Sequence, residues 1–467
     1  MGEIRVVGGG LAGCEAAAAA ARAGAKVTLY EMRPETPTPA HVTQGLAELV
    51  CSNSLKSLEP LSAPWILKRE MARLGSVTLK AAFDARVPAG VNLSVDRAAF
   101  SAGVERALAA LPNVRVVRER VDALDDGGPW IVASGPLTAP GLAAYLGGLT
   151  GVGGLFFFDA IAPIVTAESL DSERCFAGSR WGRGGDDYMN CPLDKAEYEA
   201  FVRELLTAEK HRPHGFEEGH YFEGCLPIEE TARRGPDTLR FGPMKPVGLT
   251  DPKTGRRPWA CVQLRRENAA GSLYNLVGFQ TQLKWGEQER LLRMIPALSK
   301  AEFARFGSMH RNTYVSAPDV LESGLRLKAR PDVLLAGQVT GVEGYTESAA
   351  SGILAGINAA RILAGEAVSL PPRNSMMGSL VHYLSVTEAK RFQPVNAMWG
   401  LVDPLPGGEG RKPKESKYAR FLAYRERAVR EFEDWARTLG IPLGDASGLD
   451  DQAAKAAVEA EERKAKA

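Results

Sequence analysis

Residues 4–32, IRVVGGGLAGCEAAAAAARAGAKVTLYEM, decide how the chain folds. A β-branched run is followed by a glycine cluster, an unbroken alanine-rich stretch and a second β-branched run that ends in an acid. That order predicts strand, tight turn, helix and parallel strand, the start of a doubly wound α/β sheet. Gly8, Gly10 and Gly13 form G-x-G-x-x-G. The first glycine permits the turn, the second lets the backbone approach a pyrophosphate, and the third lets helix and strand pack closely. Gly9, Leu11 and Ala12 complete the loop and the helix start, and Glu31 stands at the end of the second strand, placed to accept hydrogen bonds from a ribose. Dinucleotide binding is the expectation.

The far end of the chain indicates which dinucleotide. Residues 332–365, DVLLAGQVTGVEGYTESAASGILAGINAARILAG, read as a late strand, a glycine-rich turn and another small-residue helix. Here Gly337, Gln338, Glu343, Gly344 and Tyr345 line the turn, and the N-terminus of the helix is expected to face the flavin side of a cofactor, where its dipole favours negative charge. Two fingerprints at opposite ends favour FAD over NAD.

With 467 residues, 45% hydrophobic and 24% charged, the chain is long enough for two or three structural units. A net charge of +1 excludes a globally basic nucleic-acid coat and leaves room for a local basic patch. Nothing at the start has the pattern of a secretion signal, so a cytoplasmic location is expected. The charge-free run from Ile131 to Phe158 is long enough to span a bilayer, but its seven glycines and two prolines suggest strand, loop and strand. The fold expected is α/β: a Rossmann-like FAD-binding domain (1–186 and 273–370), an inserted smaller α/β domain (187–272), and a helical C-terminal region (371–467) with a disordered tail. Residues 411–430 hold eight basic residues against two acids, interleaved with Tyr418, Phe421 and Tyr424; a solvated helix face is the plain reading.

The six cysteines show no C-x-x-C pair and no zinc-type cluster, so no metal is expected. A lone cysteine is more often a small buried hydrophobe than a nucleophile, and Cys14, Cys175 and Cys261 read that way; Cys191 is less clear-cut. Cys51, in LVCSNSLKS, and Cys225, in FEGCLPIEE, sit instead among glycine, proline and polar residues, a setting that exposes a thiol. Glu229 and Glu230, just after Cys225, read as helix-start acids.

GGGLAGCEAA, LVCSNSLKS, YMNCPLDKAEY, YFEGCLPIEETARRGPDTLRFGPMKPVGL, LYNLVGFQTQLKWGEQ, MHRNTYV and GQVTGVEGYTESAASG, in that order, resemble the TrmFO family of folate- and FAD-dependent tRNA (uracil-5-)-methyltransferases. The related GidA/MnmG family, which modifies wobble uridines, shares the FAD-binding ends and lacks the CSNSL and EGCLPIE blocks. The resemblance implies one-carbon transfer from 5,10-methylenetetrahydrofolate to C5 of the T-loop uridine of tRNA (position 54) and reduction by FADH2, with NAD(P)H regenerating the reduced flavin. It implies tRNA, through its T arm, as partner, and neither membrane nor DNA. It further implies catalytic roles for Cys51 and Cys225, with Cys225 the better candidate for attack on uracil C6, and a folate platform at His310, with Trp285 and Tyr345 as second choices. Basic candidates for tRNA contact are Lys210, His211, Arg212, Lys284, Arg290 and residues 411–430. Wobble-uridine modification and flavin-dependent thiol oxidoreduction are the alternatives, the second disfavoured by the missing C-x-x-C.

Overall fold

Strand β1 (Glu3–Val7) enters helix α1 (Leu11–Arg22), which returns the chain to β2 (Lys26–Glu31), parallel to β1 with Glu3 beside Lys26 and Val7 beside Tyr30. The computed structural model describes residues 2–151, 155–211, 226–405 and 417–446, with positions 449 and 456. Around the β1–α1–β2 unit lies a seven-stranded sheet. Its order is Leu321–Glu322, Arg326–Leu327, Val333–Leu335, Trp130–Val132, β1, β2 and Val114–Arg118. The last five run parallel, and the first two form an antiparallel edge. Ile4, Val6 and Leu29 are fully buried, as strands covered on both faces require.

Every residue of α1 from Leu11 to Ala21 is buried, Glu15 included. The alanines are explained by what lies against them: the helix Tyr345–Leu363 crosses α1 so closely that a Cβ on Gly352 would overlap the carbonyl oxygen of Ala12, and one on Gly356 that of Ala16. Two helices can approach to that distance only when methyls and hydrogens are all that separates them. Both start at the carboxyl edge of the parallel sheet, so their N-termini open on the same side. Glu15 is spent locally, accepting from the backbone N–H of Thr78 (2.9 Å) and from its hydroxyl (2.6 Å), which anchors the helix Val77–Asp84.

A second, antiparallel sheet has the order Phe176–Ala177, Tyr188–Leu193, Ala260–Arg266, Leu273–Leu276, Ile164–Thr166 and Phe303–Arg305. The stretch 187–272 supplies two of these six strands; the others come from either side of it. The antiparallel pair Leu155–Ala160 and Met309–Tyr314 carries the chain out to this sheet and back. The apolar run 131–158 differs from its expected strand, loop and strand, because residues Pro140–Thr150 form a helix. Pro140 occupies its first turn, where no intrahelical N–H is needed, and Gly151 (φ 66°) ends it, so these residues punctuate a helix rather than break one.

In the C-terminal region the helix Lys417–Thr438 docks on Ala63–Arg73. Phe421 stacks on Trp399 and Tyr424 packs against it at a tilt, with centroids 5.8 and 5.7 Å from that of Trp399. Arg425 is buried over the Trp65 ring, and Glu433 Oε1 accepts from both Arg69 and Arg73 at 3.0 Å. These parts of the basic and aromatic run are therefore interior packing, not a solvated face. Among the described residues no helix is long and apolar enough to cross a membrane.

The helix crossing generates a prediction. Gly352→Ala should lose about 1–3 kcal/mol in urea denaturation, the usual penalty for overpacking. Gly148→Ala, in a helix where the added Cβ meets nothing within 4 Å, should be neutral or gain up to about 1 kcal/mol.

Candidate functional site

At the carboxyl edge, β1 and α1 enclose a cleft of about 980 Å³, partly open to solvent, lined by Gly8 to Ala12, Glu31 to Arg33, Ser134, Gly337 and Gln338. The cap residue Gly10 has no side chain to satisfy the first N–H groups of α1, and the first intrahelical bond is Cys14 N–H to Gly10 oxygen at 3.0 Å. A Cβ on Gly10 would meet nothing within 4 Å, so this glycine borders empty cleft, whereas one on Gly13 would overlap the carbonyl oxygen of Gly8. Unpaired N–H donors at a helix N-terminus beside open space suit a pyrophosphate. The residues fit the dinucleotide of FAD.

Glu31 lines this cleft while already making bonds. Its Oε2 accepts from Gly9 N–H and its Oε1 from the Arg33 backbone N–H and Nε, each at 2.9 Å. Arg33 also reaches Glu48 Oε2 at 3.0 Å. Burial pushes the Glu31 carboxyl up, but the Arg33 hydrogen bond and charge, with the two N–H donors, more than offset it and hold the group below the usual carboxylate range. Glu31 thus shapes the glycine loop from the wall of the cleft.

The cleft continues into a second cavity of about 1510 Å³, and Val50, Pro136, Leu137, Gln338, Tyr345 and Ser348 line both. Cys51 stands in the wall of the second cavity, half-buried. Its backbone is held from three parts of the fold. The N–H donates to Tyr345 Oη at 2.8 Å, the carbonyl accepts from Arg97 Nη2 at 2.8 Å, and Arg305 Nη2 donates to the preceding Val50 carbonyl at 3.1 Å. Two residues on, buried Asn53 accepts from Arg265 Nε at 3.0 Å and donates to the carbonyls of Val95 and Arg266 at 2.9 Å. Arg97, Arg265 and Arg305 all interact electrostatically with Cys51, and Glu267 pairs with Arg97 at 2.8 Å.

Also lining this cavity, Lys56, with a left-handed backbone (φ 64°), ion-pairs with buried Glu347 at 2.6 Å. Glu347 also accepts from Ala397 N–H at 2.9 Å. Burial raises this carboxyl and the Lys56 charge and hydrogen bond, with the N–H, bring it below its ordinary value.

Of the other residues singled out in the sequence, Gln338 donates to Glu343 Oε2 at 2.7 Å, and both line the Cys51 cavity with Gly344 and Tyr345. Cys225 lies outside the described residues. His310 belongs to the strand Met309–Tyr314, and its side chain lies outside them too. Trp285 is exposed, stacks on Phe306 and borders neither cavity, so the structure does not bring it to Cys51. Cys14, Cys175, Cys191 and Cys261 are buried, and desolvation raises each thiol, Cys261 to about 12. Glu229 and Glu230 do open a helix, Ile228–Arg233; Glu229 is wholly buried and accepts from Gln282 N–H at 2.8 Å and Thr281 Oγ1 at 3.0 Å. Among the basic candidates, Lys210 pairs with Glu230, Lys284 with Glu209, and Arg290 with Glu204 and Glu287. Arg212 lies outside the described residues.

The family model described as glucose inhibited division protein A matches residues 3–367. The methylenetetrahydrofolate–tRNA-(uracil-5-)-methyltransferase TrmFO of Moorella thermoacetica is 57% identical over 86% of this chain and 92% of its own length. That of Geotalea uraniireducens is 54% identical over 94% and 99%. Among solved structures, Aquifex aeolicus GidA superimposes with a TM-score of 0.68 at 18% identity, over 96% of this chain and 75% of that one, a likeness of fold.

The ion pairs of Glu31 generate a pH prediction. A carboxyl whose pKa is depressed on folding contributes stability that is present above its unfolded value and is lost as pH falls through the folded value. Glu31→Gln should therefore cost about 1–3 kcal/mol at pH 7, with the gap to wild type narrowing as urea titrations are carried below the usual carboxylate range.

Proposed function

The chain belongs to the TrmFO family of methylenetetrahydrofolate–tRNA-(uracil-5-)-methyltransferases, and from that premise we propose that its target is the T-loop uridine of tRNA and that Cys51 and Cys225 are its working thiols. Folate-dependent methylation of a tRNA uracil at C5 is its reaction, with 5,10-methylenetetrahydrofolate as donor and FAD as redox cofactor. The observation that carries the site assignment is the position of Cys51, at the junction where the dinucleotide cleft opens into a larger cavity, with three guanidiniums around it.

FAD held across the two fingerprints supplies the electrons that convert the transferred one-carbon unit into a methyl group, and NAD(P)H is the proposed source of those electrons. The remaining work falls to the chain. Uracil C5 is a poor nucleophile. A thiolate that adds to C6 pushes the C5=C6 electron pair onto the ring as an enolate, whose C5 can then form a bond to the one-carbon unit as that carbon's bond to its carrier nitrogen breaks, the electron pair going to the nitrogen. A base next removes the C5 proton, and expulsion of the thiolate restores C5=C6. Of the two thiols, Cys225 is read as the C6 nucleophile and Cys51 as the proton-handling partner. Arg97 and Tyr345 fix the backbone that carries Cys51. The Cys51 cavity, open to solvent, gives room for an extruded base, which a target folded into the tRNA elbow requires.

The test uses FAD-loaded enzyme with a T-arm stem-loop and an anticodon stem-loop. Methylation should occur on the first only; product on the second alone would overturn the T-loop reading. Cys51→Ala and Cys225→Ala should keep FAD and lose turnover by at least about 100-fold, as loss of a nucleophile or base does. Cys191→Ala, in the second sheet, should cost stability and spare turnover. Full activity in both of the first two variants would remove the thiols from the mechanism.

A further inference from the structure

A buried carboxamide normally binds backbone, and Asn53, Asn190 and Asn358 here do so. Asn312 does not. It is 4% exposed, on the strand Met309–Tyr314, and among the described residues its side chain has no hydrogen-bond partner, yet it lines the cavity that holds Cys51. Of the carboxamides around that cavity, Gln338 is committed to Glu343 and Asn92 to Tyr188 Oη at 3.2 Å, while Asn396 is only partly buried. Asn312 combines deep burial with an uncommitted amide. Its amide atoms keep access to the cavity, where a ligand can take up their hydrogen-bonding capacity.

We propose that Asn312 recognises a substrate ring through its lactam edge, the adjacent C=O and N–H of a cyclic amide. A carboxamide presents one acceptor and one donor in a plane, the complement of that edge: its Oδ1 accepts the ring N–H and its Nδ2 donates to the ring carbonyl. The inference rests on the proposed function, because both substrates of the reaction carry this group, uracil at O4 and N3 and the pterin of the folate at its own carbonyl and N–H. Arg265 Nε is fixed on Asn53 beside the same cavity, so a ring held by Asn312 lies in the chamber that contains Cys51.

The test compares Asn312→Ala and Asn312→Asp with wild type, all full-length and FAD-loaded, with flavin absorbance as the check on folding. kcat/KM is measured separately for T-arm RNA and for methylenetetrahydrofolate. Asn312→Ala should lose roughly 10- to 100-fold for one of the two, the size of a lost bidentate pair. A loss confined to RNA assigns the edge to uracil, and one confined to folate assigns it to the pterin. Asn312→Asp should recover relative to wild type as pH falls, since a protonated carboxyl regains one donor and one acceptor, a response that a structural role would not produce. Unchanged kcat/KM for both substrates, or an equal loss for both without pH recovery, overturns the proposal. If wild type itself forms no methylated product from folate, the functional reading fails first, and the two failures are distinguishable.

Discussion

The close crossing of two small-residue helices is the constraint on which the rest of the structure depends. Ala12 and Ala16 of α1 present bare carbonyls to Gly352 and Gly356, and Gly337, at the end of the neighbouring strand, lies so near that a Cβ on it would be 2.9 Å from the Ala12 methyl. Thickening any of these positions separates the helices, and with them the two glycine turns. Because both helices begin at the carboxyl edge of one parallel sheet, their approach makes a single long cleft from the two fingerprints. The contact positions the two helix N-termini on one cleft.

The cleft is then extended by charge. Arg33 between Glu31 and Glu48, Lys56 on Glu347, and Arg97 on Glu267 are all largely removed from water. Such pairs are weak contributors to net stability but costly to break, since a lone buried charge is left behind. Each one ties a loop to a distant element. The Cys51 loop is the extreme case, held by Tyr345 from the second fingerprint, by Arg97 from the helix Arg97–Ala109, and by Arg265 and Arg305 from the second sheet. The Cys51 thiol is thereby fixed where elements of the two sheets meet.

How much of this is readable in the sequence follows from how local each feature is. The β1–α1–β2 unit, the second fingerprint and the isolated setting of Cys51 are each encoded within a few dozen residues, so glycine spacing and composition find them. The arginines around Cys51 are 46 to 254 residues away from it, and an arginine in Ala260–Arg266 looks like any other strand residue until the fold closes. The helix Pro140–Thr150 was obscured because proline and glycine mark helix ends as well as loops. Trp285 and the aromatics Phe421 and Tyr424 show the opposite limit: their residue types suit ring stacking on a ligand, but their rings are engaged with Phe306 and Trp399. Asn312 carries no sequence signal of its own; burial without a partner became visible only with the cavity.

The proposal that one continuous chamber, formed by the two fingerprints and bordered by the Cys51 loop, brings folate and a tRNA uracil together is tested by incubating the purified FAD-loaded protein with unmodified tRNA, methylenetetrahydrofolate labelled in its one-carbon unit, and NADPH, then digesting the tRNA to nucleosides. The account predicts that the label appears in 5-methyluridine. Unlabelled tRNA, or methyl groups arising only from added S-adenosylmethionine, would contradict it.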